Sequence, residues 1–242
     1  MEHEPKEREP DGKTLMKIDL IRHGKPFYTK GELEKYDFEG KLTQEGHEQV
    51  RLKAVNLLPD IDREKEIVVI WASPKQRARE SAEDLRAILE ENGVSVLREN
   101  KRESLRDVRF TKEFGDELSN NGAWGDWLNY WLNKQELPIG TEAPGDVEKR
   151  MNRIFTYLSR VVKGIKLPQD KIFHFLLVGH EELFPYIVNK VCNLNEGSPK
   201  YGETMKINMK RRDDSEAFQF EFDYRGIKSS YAFNYKDRRF ES

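Results

Sequence analysis

Two histidines and two arginines stand out because each follows an apolar run: Arg22-His23-Gly24 after Leu20-Ile21, Arg77 in Ser73-Pro74-Lys75-Gln76-Arg77, and His180 in Val178-Gly179-His180-Glu181. A guanidinium is a rigid donor fork that matches phosphate oxygens two at a time, so two of them would neutralise and orient a dianionic phosphoryl group. An imidazole beside them can attack phosphorus as a neutral nucleophile, and the surrounding positive charge disfavours its protonated form. Gly24 lets the backbone approach an anion closely, and helix N-termini at Pro74 and beyond His180 would add partial positive charge. Each residue also has a plainer reading. His23 is a surface-turn histidine on its tripeptide alone, Arg22 and Arg77 are solvated charges in a charge-rich chain, and His180 is a hydrogen-bonded core histidine.

The elements that must position these residues alternate in type. Met16–Ile21 reads as a strand entering a turn, and Thr43 as the N-cap of a helix through Val50, Ala54, Val55 and Leu58. Glu66–Ala72 is a near-continuous apolar run, as expected of a strand covered on both faces. Ser73 and Pro74 are read as the cap and first residue of a helix with an inner stripe of Ala78, Ala82, Leu85 and Leu89. Val94–Leu97 is a short strand, Glu103–Ala143 an irregular or partly helical excursion, and Pro144–Val162 a helix. Lys171–Gly179 is a further buried strand, followed by an apolar helix from Leu183 to Val191 with Cys192 on its buried face. Thr204–Met209, Ala217–Tyr224 and Ser229–Tyr235 alternate in the manner of antiparallel strands.

This order predicts an α/β three-layer sandwich: a largely parallel central sheet covered by helices on both faces, with extra C-terminal antiparallel strands that cover a sheet edge or pair with another subunit. Such sheets place their sites beyond the carboxyl ends of the strands, where His23, Arg77 and His180 fall. Residues 1–14 read as a disordered charged tail without the apolar core of a secretory signal, residues 15–242 as a single domain, and 103–143 as its cap or lid. Trp124, Trp127 and Trp131 within that excursion are either a substrate-facing aromatic lid or ordinary packing.

From about Lys17 to Asn208 the chain resembles the histidine phosphatase superfamily, with its phosphoglycerate mutase-like fold. Leu20-Ile21-Arg22-His23-Gly24 is similar to the nucleophile motif of that family, and Leu42-Thr43-Gln44-Glu45-Gly46-His47-Glu48-Gln49 to the Leu-Thr-x-x-Gly-x-x-Gln that follows it. Ser73-Pro74-Lys75-Gln76-Arg77-Ala78 resembles the segment with the second phosphate arginine, and Val178-Gly179-His180-Glu181 the second histidine. The resemblance implies a phosphohistidine on His23, with Arg22, Arg77 and His180 binding phosphoryl oxygens and Thr29 near the place of a further phosphate ligand. The family's acid is a Glu in a Leu-x-Glu segment; Leu105-Arg106-Asp107 puts Asp107 there, with Glu103 upstream as the alternative. Either carboxylate is otherwise a surface charge.

The expected activity is hydrolysis of a phosphomonoester, by attack of His23 on phosphorus and protonation of the leaving oxygen by Asp107 or Glu103, without metal or cofactor. The resemblance leaves two rivals. One is a phosphoglycerate-type mutase, disfavoured because Val108-Arg109-Phe110-Thr111 follows Asp107 where that branch has Arg-His-Tyr-Gly; the other is a phospho-ligand-binding or regulatory module with little turnover. A phosphorylated small molecule is the expected substrate, with a phosphoprotein as the alternative. The net charge of −2 gives no footprint for nucleic acid, and no apolar run nears the ~20 residues of a membrane-spanning helix. Cys192 is the sole cysteine, so there is no internal disulfide framework, which fits the reducing cytoplasm.

Overall fold

The computed structural model describes residues 12–36, 38–168, 170–191, 197–212 and 217–241. In chain order the elements are β1 (Thr14–Arg22), β2 (Pro26–Phe27), α1 (Lys30–Lys35), β3 (Lys41–Leu42), α2 (Gln44–Leu57), β4 (Glu66–Ala72), α3 (Gln76–Glu91), β5 (Val96–Lys101), α4 (Lys112–Asn120), α5 (Trp127–Asn133), α6 (Pro144–Gly164), β6 (Ile172–Gly179), β7 (Thr204–Arg211), β8 (Ala217–Tyr224), β9 (Ile227–Asn234) and β10 (Arg239–Phe240). The expected tail is described only from residue 12, and Thr14 already belongs to β1.

Eight strands form one sheet in the order β10-β9-β8-β7-β1-β6-β4-β5. β1, β6, β4 and β5 run parallel, while β7 pairs antiparallel with β1 and leads into a meander through β8, β9 and β10. The C-terminal strands therefore continue the same sheet and make up half of it. Period-two alternation then decides what each face buries. In β4, Val69 and Trp71 join the core built with α6, whereas Val68 and Ile70 join the core built with α2 and α3. The antiparallel half buries only one face, with Met205, Ile207, Met209, Phe218, Phe220 and Phe222 packed in the α6 core, while the alternate positions Lys206, Asn208, Gln219 and Glu221 are polar. Helices thus flank the parallel half on both sides and the antiparallel half on one, which is where alternation replaces continuous apolar runs.

One local expectation changes. α3 begins at Gln76 with Lys75 as its cap residue, so Ser73 is not the cap; its hydroxyl is already bonded to His180 and to the Lys75 N–H. The helix expected from Leu183 to Val191 is present, as a 3-10 turn, Glu181–Leu183, leading into a π-helical stretch, Tyr186–Val191; Cys192 lies outside the described residues. The excursion is largely helical through α4 and α5, and Trp131 within it is core, 1% exposed with its indole N–H donated to the Glu142 carbonyl.

Two histidines without an obvious chemical role hold elements together. His47 bonds Asp84, joining α2 to α3. His174, buried on β6, lies 2.8 Å from both Asp19 on β1 and Glu66 on β4, crosslinking three parallel strands near their N-terminal ends.

Candidate active site

Strand register brings the distant motifs together. Arg22 of β1 is level with Gly179 of β6, and Ala72 of β4 with Val178, so His23, Ser73 and His180 are the residues that leave the sheet side by side. The His23 N–H donates to the Gly179 carbonyl at 3.0 Å and the Ser73 N–H to Val178 at 2.9 Å, which carries the ladder one residue further.

Hydrogen bonds fix the proton on each imidazole. His23 Nδ1 is 2.7 Å from the Gly24 carbonyl, which can only accept, so Nδ1 carries the proton and Nε2 keeps its lone pair. Arg77 Nε donates to that lone pair at 3.1 Å. His180 is arranged the other way: Nδ1 accepts from Arg77 Nη2 at 3.1 Å, and Nε2 donates to Ser73 Oγ at 2.7 Å. The two rings meet edge to face with centroids 5.0 Å apart. Burial and the charge of Arg77 hold His23 well below the ordinary histidine range; burial, Arg77 and His23 do the same to His180.

Arg77 also pairs with Asp107 at 2.8 Å and donates to the carbonyls of Phe38 and Glu39. Arg22 stacks 4.1 Å above the Tyr201 ring, donates to the Pro199 carbonyl and pairs with Glu181 at 2.9 Å. Its Nε is buried without an acceptor among the described residues.

The segment Leu42 to Gln49 clamps the loop that carries His23. Thr43 donates twice to the Lys25 carbonyl, from N at 2.9 Å and from Oγ1 at 3.1 Å, while Gln49 Oε1 accepts the Lys25 N–H at 3.0 Å. Thr43 caps α2 through the Gly46 N–H, as its sequence position predicts. A Cβ on Gly24 would lie 2.3 Å from the Gly46 carbonyl oxygen, and one on Gly46 2.3 Å from that of Lys25, so both glycines are required by close backbone approach.

The histidines, both arginines and Asp107 line one cavity of about 470 Å³. Glu103 and Thr29 do not: Glu103 lines an adjoining groove with Lys75 and Arg106 that meets the cavity at Asp107, and Thr29 is the exposed cap of α1, bonded to Glu32. The cavity also contains Glu182, which sequence reasoning missed. It is 3% exposed, its Oε1 accepts the Val108 N–H at 2.7 Å, and burial followed by the charge of Asp107 pushes it up to about 8. The signal available in the sequence was a second carboxylate directly after a strand-end histidine. Tyr28, Tyr36, Phe38, Phe110, Trp124 and Trp127 complete the wall, so two of the three expected lid tryptophans reach the cavity.

The chain belongs to the histidine phosphatase superfamily (branch 1), whose sequence profile matches residues 18–202. A mycobacterial glucosyl-3-phosphoglycerate phosphatase shares the fold at 18% identity and a TM-score of 0.59, over 86% of this chain and 97% of its own. The alpha-ribazole phosphatase of Shigella flexneri is similar at 18% identity and a TM-score of 0.52, over 81% and 92%. A phosphoserine phosphatase of Entamoeba histolytica, solved with 3-phosphoglyceric acid, gives 15% identity and a TM-score of 0.50, over 79% and 90%. No curated protein sequence matches the chain. Among the described residues no helix is long and apolar enough to cross a membrane.

Proposed function

We propose that this protein hydrolyses small phosphomonoesters through a phosphohistidine on His23. The observation that carries this reading is the His23 tautomer: Gly24 holds the proton on Nδ1, leaving a neutral Nε2 lone pair within a cavity that also contains two guanidinium groups. The phosphatase names of three solved neighbours that share the fold agree with it.

In the proposed reaction the substrate's phosphoryl group displaces Asp107 from Arg77, and Asp107 takes up a proton from solvent beside that anion; His23 Nε2 then attacks phosphorus as the bond to the leaving oxygen breaks, and Asp107 gives that oxygen the proton. Arg77 releases the lone pair of His23 and, with Arg22, takes the equatorial phosphoryl oxygens; the His180 Nε2–H joins them on turning away from Ser73 Oγ. Asp107, now ionised, accepts a proton from the water that attacks the phosphohistidine, and inorganic phosphate leaves with His23 restored. Glu182 adds a second carboxyl group beside Asp107, and its raised position keeps it protonated at neutral pH. Asp107 rather than Glu103 takes the acid role because Asp107 lines the cavity.

The test is hydrolysis of para-nitrophenyl phosphate by the wild type, His23→Ala and Asp107→Asn, with rapid quenching to trap labelled phosphate on protein. Turnover with an acid-labile phosphoryl adduct, both lost in His23→Ala, is the expected result. Turnover that survives His23→Ala overturns the reading, as does phosphate binding by an inactive wild type.

A further inference from the structure

Beyond the phosphoryl site the cavity has a definite chemical character. Its outer wall is largely aromatic, and three of its polar edges are already engaged: the Tyr36 hydroxyl donates to Asp116, the Trp124 indole to Ser119 and the Trp127 indole to Glu181, each at 2.9 Å. Tyr36 and Trp124 stack with centroids 5.9 Å apart and planes 12° from parallel, while Phe38 packs edge-on to both and Phe110 edge-on to Trp127. Around these residues the wall is held in place and offers ring faces rather than hydrogen bonds, so it favours a flat apolar partner.

Charge points the same way. Arg22 and Arg77 are the cationic residues lining the cavity among the described residues, and both belong to the phosphoryl end. The other lining residues with ionisable side-chain carboxyl groups are Asp107, Glu181 and Glu182. A second phosphate or a carboxylate on the substrate would meet carboxyl groups and aromatic rings with no cation to offset its lost hydration.

We infer that the substrate is the phosphomonoester of an alcohol bearing a flat aromatic group and no second anionic group. This rests on the proposed phosphatase reading and narrows it to one class.

The experiment compares alkyl phosphates, so that the intrinsic reactivity of aryl phosphates plays no part: 2-naphthylmethyl phosphate and benzyl phosphate against glycerol 1-phosphate and 3-phosphoglycerate. The expected kcat/KM is at least about ten-fold higher for the naphthylmethyl ester than for 3-phosphoglycerate, expressed chiefly in KM. Trp124→Ala should shrink that ratio and Trp124→Tyr restore it. Equal or better use of 3-phosphoglycerate overturns the substrate class while leaving hydrolysis intact. A second arm needs no turnover: 2-naphthylmethylphosphonate and methylphosphonate are titrated against tryptophan fluorescence. Tighter binding of the naphthyl compound supports the class even in a protein that hydrolyses nothing, and equal binding overturns it.

Discussion

The Trp127 indole N–H donates to Glu181 Oε1 at 2.9 Å, and the second oxygen of that carboxylate is 2.9 Å from Arg22. The aromatic wall and Arg22 are therefore joined through one anion, which under the proposed reading competes with phosphate for Arg22. Glu181→Gln keeps an acceptor for the indole and removes the competing charge. Inorganic phosphate should bind about five-fold more tightly, roughly 1 kcal/mol, as measured by calorimetric titration. Weaker binding would mean that Glu181 serves chiefly to orient Arg22.

Arg77 reaches His23, His180 and Asp107 with one side chain, so its removal acts on charge as well as binding. Burial and then Arg77 hold His23 below the ordinary range, which keeps this imidazole, the proposed nucleophile, neutral well into acid. In Arg77→Gln the second of these causes is gone. The acid limb of the pH–rate profile should move upward, and kcat/KM should fall by roughly 10²–10³, the usual cost of losing a transition-state donor. An unmoved limb, with His23 followed by NMR titration, would refute the electrostatic link.

Glu182 is a buried carboxyl group kept at the expense of stability. Its folded-state position of about 8 lies above the ordinary 4.5, so the unfolded chain gives up that proton first and the native state loses stability as pH rises from 4.5 through about 8. Glu182→Gln cannot ionise and retains an oxygen for the Val108 N–H. It should match the wild type near about pH 4 and exceed it increasingly up to about pH 8 in urea unfolding. A variant equally destabilised at every pH would show that the carboxyl group is purely structural.

Much of this arrangement was legible in the chain because strand-end motifs depend on local pattern. Continuous apolar runs identified β4 and β6, and alternation identified β8 at Ala217–Tyr224. What was not legible depended on long-range partners. Ser73 has the residue type of a helix cap, but the hydroxyl is taken by His180, 107 positions away. Glu182 looks like any surface acid until folding buries it. Trp124, Trp127 and Trp131 share one segment, and only packing separates the two that line the cavity from the one in the core.

Gly46 gives a direct test of the clamp on the nucleophile loop. A Cβ there would sit 2.3 Å from the Lys25 carbonyl oxygen, which is backbone and cannot swing aside. Gly46→Ala should therefore push the loop away from α2, with a stability loss of about 1–3 kcal/mol and a larger proportional loss of kcat than of phosphate binding. Wild-type activity in this variant would mean that the loop tolerates the displacement and the clamp is not needed to hold His23.

The buried His174 should give the fold a pH dependence of its own. Burial alone would lower its affinity for a proton, yet its hydrogen bonds to Asp19 and Glu66 push it up to about 9, against an ordinary 6.5. A raised histidine stabilises the native state fully below 6.5, and that contribution disappears as pH climbs through about 9; the shift corresponds to on the order of 3 kcal/mol. His174→Gln loses the charge but can still bond one carboxylate. Its deficit relative to wild type in urea unfolding should be largest near about pH 6 and shrink beyond about pH 9. A deficit that stays constant across that window would mean the imidazole is neutral in the fold, and that the two carboxylates are held by other donors such as Lys17, which bonds Glu66.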